Sequence, residues 1–373
     1  MASSKITING YEVDISCGYR IEKLQKHWLS IQSNQNLPFF LTWSWIYSWL
    51  STCYPEVVVV EASFGGEVVA IGLFTRSIET RNGFIKSCQY RLHQVGDPLL
   101  DQIWIEYNDF ICSDGHRIAA VNASLQALRK CSKDWDEIIL SMVSSSRAEQ
   151  IQSELNGCRI VLRNQSYAVN LAGIEAGHDY LSTISANTRY QIRRSIRLYE
   201  ASHGPVDFVT AKTTRQALEF FHLAGSLHRQ RWFDSGYKNP SFIQFHEHLI
   251  QQSFEKKTVE LIKVTSGGTI IAILYFHIVN KNVYFYLHGL RYGDDNKLKP
   301  GLVAHALATQ YFLEQGMKKY DYMGGDAQYK SQLASQSEDL VLLRIQRTQL
   351  QFIIENLGRK IKTVLLKKIR GQR

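Results

Sequence analysis

The chain lacks any cysteine pair at metal-ligand spacing, any apolar run long enough to cross a bilayer, any low-complexity stretch and, over most of its length, any strong excess of one charge. Its cysteines, Cys17, Cys53, Cys88, Cys112, Cys131 and Cys158, all fall in the first half and are widely spaced, so they read as small buried hydrophobes. The longest apolar runs, Val57 to Val60 and Ile270 to Phe276, are far too short to span a membrane. The opening MASSKITING has no charged-then-apolar layout of a secretory signal. A soluble, cytoplasmic body is the expectation. The formal net charge is +9, but Arg359, Lys360, Lys362, Lys367, Lys368, Arg370 and Arg373 contribute seven positive charges with no acid among them, leaving +2 for the rest. A global basic field suited to duplex nucleic acid is therefore absent, and DNA is not an expected partner.

What is present is length and repetition. A chain of 373 residues exceeds what one core usually supports and predicts two domains. VVVVEASFGGEVVAIGLF (Val57 to Phe74) aligns without a gap to VELIKVTSGGTIIAILYF (Val259 to Phe276), with both glycines among the identities. Each copy predicts a β-branched strand, a Gly-Gly turn and a second strand. Helical patterns run over Ile21 to Ser33, over Trp43 to Ser51 with Thr42 as N-cap, His116 to Lys133, Ser145 to Asn156, Ser185 to Glu200, Thr214 to Arg231, Phe242 to Lys256 and Pro300 to Gln315. Further strands are predicted over Glu137 to Leu140, Arg159 to Leu162, Tyr167 to Asn170, Asn282 to Leu290, Lys319 to Met323 and Asp339 to Ile345. The pattern predicts an α/β fold with a mixed sheet covered by helices in each half. The boundary is placed in AGIEAGH, giving domains over 1–175 and 176–346 and a basic amphipathic tail over 347–373.

The most informative stretch is Tyr284 to Lys330, where a strand ends at His288 and Gly289 and Pro300-Gly301 opens an amphipathic helix. Amides in a first helical turn have no intrahelical partner and bind phosphate, with Lys297 and Lys299 adding charge. On these residues alone, a plain helix start with solvated lysines is the favoured reading.

This stretch, with the NTRYQIRRSIR helix (Asn187 to Arg197), the LHRQRW helix end (Leu227 to Trp232), the hairpin and the closing YDYMGGDAQYK (Tyr320 to Lys330), resembles the CelD-like acetyltransferase family. That family is a tandem branch of the GNAT superfamily, similar also to the Fem-type peptidoglycan aminoacyltransferases. The resemblance implies tandem GNAT-like domains, each a mixed, mostly antiparallel sheet flanked by helices, with the first a degenerate copy. It implies an acyl-CoA co-substrate (acetyl-CoA or longer) in a gap between two strands, its pyrophosphate held at Lys297, Lys299, Pro300 and Gly301, and no metal. The usual glycine-rich pyrophosphate loop is reduced here to NKLKPGL.

An amine must lose a proton to attack a thioester, and the resulting oxyanion needs a donor or cation. Lys330 matches a lysine of Fem-type enzymes that serves electrostatic stabilisation, and Asp326, beside Tyr329 in GGDAQYK, is expected to position it or the acceptor amine. His288 stands where a GNAT base or its relaying water would lie. Arg189, Arg193 and Arg197 share a helix face, read either as solvated or as contacts for an anionic substrate, with Arg231 a further substrate candidate at the end of its helix. Two histidines at i and i+2 in Phe245-His246-Glu247-His248 point to different sides of a helix and do not make a metal site. Trp43, Trp45 and Trp49 read as core or interdomain packing, with an apolar acyl or lipid groove as the alternative. The tail places Ile353, Leu357, Ile361, Val364 and Leu365 on one stripe, fit for an anionic membrane surface at the inner face or for docking on the second domain.

The expected function is transfer of an acyl group from acyl-CoA to a primary amine of an amino sugar or a lipid-linked envelope or polysaccharide precursor. A Fem-like transferase using aminoacyl-tRNA and a non-catalytic scaffold of a polysaccharide-synthesis assembly are the alternatives; the weak charge outside the tail argues against the former.

Overall fold

Alternating β-branched residues and glycine turns build most of the sheet. The computed structural model describes residues 4–356 apart from positions 34, 82, 84, 133 and 176. The first half runs β1 (Ser4–Ile8), β2 (Tyr11–Cys17), α1 (Ile21–Gln32), α2 (Trp43–Cys53), β3 (Val57–Phe64), β4 (Glu67–Arg81), β5 (Ile85–Leu92), β6 (Ile111–Cys112), α3 (Arg117–Cys131), β7 (Glu137–Ser144), α4 (Ser145–Glu154) and β8 (Cys158–Asn170). The second runs α5 (Ala186–His203), β9 (Val206–Thr210), α6 (Thr214–Arg231), α7 (Pro240–Ser253), β10 (Val259–Ser266), β11 (Thr269–Val279), β12 (Asn282–Leu290), α8 (Pro300–Glu314), β13 (Lys319–Gly324), α9 (Gln328–Leu333) and β14 (Gln336–Gln346).

The two hairpins are copies in geometry as well as in sequence. β3 pairs with β4 and β10 with β11, and each ladder is interrupted by an irregularity at the same place, between Ala62 and Ser63 in one and between Val264 and Thr265 in the other. Both Gly-Gly turns take positive φ, at Gly65 and Gly66 and at Gly267 and Gly268, which a side chain would strain. A Cβ on Gly267 would also collide with the backbone at His203, the last residue of α5.

All strands among the described residues join one sheet in the order β1-β2-β3-β4-β5-β7-β14-β8-β13-β12-β11-β10-β9, with β6 beside β4. Its pairings are antiparallel except β5 with β7 and β12 with β13, where a helix makes the crossover. The halves exchange strands at the centre: β14, the last strand, lies between β7 and β8, while β8 lies between β14 and β13.

Because strand residues alternate faces, Val57 and Val59 enter one apolar cluster and Val58 and Val60 another. One face of the sheet carries α1, α2, α6 and α7 in a single cluster shared by both halves. The other face carries α3 and α4 over the first half and α5 and α8 over the second, in separate clusters. Trp45 and Trp49 are buried in the shared cluster, Trp45 lying 4.8 Å from Phe245 of α7, so the tryptophan helix packs the halves together. His246 is buried there too, while His248 turns to Ser48 of α2 at 3.0 Å.

Some local readings differ from the sequence expectation. The two strands expected over Arg159–Leu162 and Tyr167–Asn170 are one strand, β8, because β14 pairs along its length and carries the polar middle in register. Thr42 stands at the N-cap of α2, yet its hydroxyl donates to the Phe39 carbonyl at 2.7 Å and does not cap the helix. The tail begins as helix over 350–356 and docks on the first half: Phe352 is buried beneath the Arg81 guanidinium, and Glu355 accepts from Arg81 at 3.0 Å. Its basic residues from Arg359 on and the stripe from Leu357 onward lie outside the described residues.

Candidate active site

β12 and β13 pair only over Asn282 to Tyr284 and Lys319 to Asp321, then separate. Beyond that point β12 runs on alone through Phe285 to Leu290, held on its other edge by β11. The gap opens into a cleft of about 730 Å³. Its walls bring together His288 of β12, Lys299, Pro300 and Gly301 at the start of α8, Tyr329 and Lys330 of α9, and His228 and Arg231 of α6. α6 reaches the cleft because it packs its backbone directly onto β12: a Cβ on Gly289 would collide with backbone atoms of Ala224.

The α8 end suits a phosphate. No side chain caps it, proline occupies its first turn, and the backbone of Lys299 is fixed by donation to Ser195 of α5 at 2.9 Å. The Gly301 and Leu302 amides thus stand at the cleft with a lysine beside them. Arg231 spreads over the Trp232 and Tyr292 rings at the mouth, 5.9 and 5.1 Å from their centroids.

At the inner end the groups are ionisable, with Lys330 buried and His288, His228 and Tyr329 half-buried. Burial, with His228 and Lys330 nearby, pushes the His288 imidazole down to about 3, so it is neutral at physiological pH. His228 is likewise pushed down to about 4 by burial, its Nδ1 within 2.8 Å of the Ser235 hydroxyl. Tyr329 stacks on His305 of α8, centroids 4.9 Å apart, and burial raises its phenol.

Lys330 is 8% exposed and donates to the Gly324 and Met323 carbonyls. Those carbonyls belong to a strained turn, with Met323 at φ 60° and Gly325 at φ 119°. Burial lowers the Lys330 ammonium, and Glu106, Asp321 and Asp326 oppose that shift in decreasing order. Asp326 itself is exposed ahead of α9 and acts on Lys330 through charge, more weakly than the other two carboxylates.

Both of the stronger carboxylates, Asp321 and Glu106, were passed over by sequence reasoning. Asp321 is fully buried and accepts from the Lys319 ammonium at 2.8 Å, the Met323 amide at 2.7 Å and the Tyr107 hydroxyl at 2.7 Å. Glu106 comes from the first half and accepts from the Gly324 amide at 2.8 Å. Burial raises its carboxyl to about 7, against the pull of that amide and of Lys330. A lone acid in the apolar stretch Trp104-Ile105-Glu106-Tyr107 was the available signal.

The remaining candidates lie elsewhere. Lys297 is exposed in the turn before α8, its amide bonded to Asp295 at 2.9 Å. Arg189, Arg193 and Arg197 line a groove on α5 that shares no residue with the cleft. Arg189 there donates to the Leu181 and Ser182 carbonyls, and Arg193 stands 3.9 Å from Asp179.

Residues 186–331 match the family model of the acetyltransferase (GNAT) domain, a span that contains the whole cleft wall described above. No curated protein matches the chain by sequence. Among solved structures the chain is similar to FemX, at 11% identity and a TM-score of 0.59 over 91% of this chain and 99% of that one. It is also similar to L-PGS from Bacillus licheniformis, at 10% identity and a TM-score of 0.53 over 93% and 97% of the two chains. A third is the C-terminal domain of a candidate lysylphosphatidylglycerol synthetase from Agrobacterium fabrum, at 12% identity and a TM-score of 0.52 over 92% and 96%. At such identities the likeness is one of fold. The fold is a mixed α/β sheet flanked by helices, and within it residues 186–331 carry the likeness to the acetyltransferase (GNAT) domain. No helix among the described residues is long and apolar enough to cross a membrane.

Proposed function

We propose that the second half, 176–346, is an acyl-CoA-dependent N-acyltransferase of the CelD-like type, with 1–175 as a copy that has lost its own site. The supporting observation is the shared cleft: the gap between separating parallel strands, an uncapped helix start carrying lysine, and a buried lysine at the far end all face one cavity. The residues present fit acyl-CoA. The Gly301 and Leu302 amides and Lys299 would hold its pyrophosphate, and the free edge of β12 would run beside its pantetheine arm. The bound thioester supplies an activated acyl carbon.

The rest is work for side chains. Lys330, cationic and held by two carbonyls, stabilises negative charge that develops on the acyl oxygen. His288, neutral in its half-buried setting, accepts a hydrogen bond from the incoming amine or from a water that carries its proton away. Arg231 at the mouth engages an anionic acceptor. The acceptor class is a primary amine on an amino sugar or on a lipid-linked envelope or polysaccharide precursor, met at the inner membrane surface through the tail.

Calorimetry and thermal shift with acetyl-CoA, longer acyl-CoAs and coenzyme A alone test this reading. At a hundred times its dissociation constant a ligand that binds only the folded state stabilises by about 2.7 kcal/mol. Indifference to every thioester, or transfer that requires charged tRNA, would move the assignment to a scaffold or to a Fem-like transferase respectively.

A further inference from the structure

Glu106 is a buried carboxylate from one half placed against the reaction centre of the other, and the functional reading above does not use it. It rides on residues 93–110, the excursion that leaves β5 at Leu92 and returns as β6. Its neighbour Tyr107 donates to Asp321, and its own carboxylate accepts from the Gly324 amide, so both residues brace the turn that follows β13. Lys330 braces the same turn from its carbonyl side. The groups that face Glu106 come from three further elements: Lys330 on α9, Asp321 on β13 and Tyr286 on β12. Of these Lys330 is the one cation, and Asp321 already holds Lys319. A carboxylate that is only 9% exposed, with one backbone donor and one neighbouring ammonium, is costly to keep ionised and is a poor choice for stability alone.

We propose that Glu106 is a positioning residue of the second-half centre: through the Gly324 amide it sets the turn that holds Lys330, and its negative charge keeps the Lys330 ammonium protonated. This rests on the cleft being the reaction site. The first half thereby supplies a required group, and activity demands the ionised form of Glu106. Burial lifts its titration into the neutral range, so the loss of activity on acidification is expected there and not near the ordinary carboxylate range.

Glu106→Gln keeps an acceptor for the Gly324 amide and removes the charge, mimicking the protonated acid at every pH. The experiment records kcat and KM for acyl-CoA between pH 5.5 and 9 in the wild type and in this variant, with Glu106→Ala as a second variant that also loses the amide bond. In parallel, an amine-reactive ester labels the folded full-length proteins at about pH 8 and peptide mass spectrometry reads Lys330 alone. The expected result is a kcat lower by about tenfold at high pH, no acid limb, and KM for acyl-CoA within about twofold of wild type. Lys330 in the variant should label faster by about threefold or more, because the anion that favoured its protonated form is gone. An acid limb retained in Glu106→Gln, or Lys330 labelling equal to wild type, overturns the proposal. The labelling arm needs no turnover, so a wild type inactive with every thioester would sink the transferase reading while labelling still decides the assignment of Glu106.

Discussion

The two halves begin their crevices identically and finish them in opposite ways. In each, a parallel strand pair joins over three residues, Gln89 to Arg91 with Glu137 to Ile139 in one and Asn282 to Tyr284 with Lys319 to Asp321 in the other. In the second half β12 continues unbroken, so Ala272 pairs with Leu290 and Ile273 with Gly289. In the first half the matching residues, Ala70 and Ile71, pair with Cys112 and Ile111 of β6, because the strand stops at Leu92 and the chain detours before resuming. The detour fills the gap it skirts. Asn108 donates to the Leu92 carbonyl at 2.9 Å and to the Met142 carbonyl at 3.1 Å, tying β5 to β7 across the opening. Phe110, at the position matching His288, is fully buried against Gly72 and Phe74, and Asp109 is held by Arg147 at 3.0 Å. One segment thus bridges the gap of one half and carries Glu106 and Tyr107 to the turn beside the cleft of the other.

That contrast can be broken at its plug. Phe110→Ala removes the side chain that fills the first crevice and should cost about 3–5 kcal/mol in urea unfolding, without adding a second coenzyme site in calorimetry. A cost below about 1 kcal/mol would mean that the plug is loosely packed and the halves are less different than they look. Glu106→Gln sharpens the same contrast from the stability side. The carboxyl has an ordinary value of 4.5 and a folded value of about 7, so the folded protein holds that proton more tightly. Its contribution is fully present below about 4.5 and is lost as pH rises through about 7, a difference of about 3 kcal/mol. The variant should therefore be more stable than wild type at pH 8 by up to that amount, with the gap closing towards pH 5. Equal stabilities at both pH values would mean that Glu106 is not held in a desolvated site.

Lys330→Ala tests the open crevice directly: kcat should fall by about a hundredfold or more, equivalent to about 2.7 kcal/mol, with circular dichroism unchanged. Unchanged turnover would remove Lys330 from the chemistry and leave it a brace for the Met323 turn. The smallest effect is expected from replacing Arg189, Arg193 and Arg197 together by Ala, since their groove is separate from the cleft. KM for acyl-CoA should change by less than about twofold. A larger rise would join that α5 face to the substrate path.

How much of this could be read from the chain follows the same division. The hairpins, β12, α8 and β13 announce themselves because their apolar residues alternate or cluster at the period of the element. β5 does not, since IKSCQYRL buries polar groups: Ser87 and Gln89 bond to Glu137, which in turn holds Arg81. Its burial is satisfied by hydrogen bonds, which hydropathy cannot register. β1, β2 and β9 are short edge or near-edge strands, and α9 is a helix of six residues, too brief for a periodic signal. Lys330, Tyr329, His288 and the start of α8 were reachable because they lie within one stretch of chain. Glu106 stood out only as a lone acid in an apolar stretch, and its place at the cleft had no local signal: its partner Gly324 is 218 residues away, and only the fold brings them within bonding distance. The exchange of β8 and β14 was hidden for the same reason, a pairing between distant segments having no local signature.

That exchange also sets the order in which the molecule can be made. The last strand among the described residues fills the middle of the sheet, with an unfilled slot beside β7 until it arrives. The usual course, in which an N-terminal unit finishes folding while the rest is still being synthesised, is closed to this chain. Cut between its halves, it would yield two fragments, each missing a strand that only the other owns.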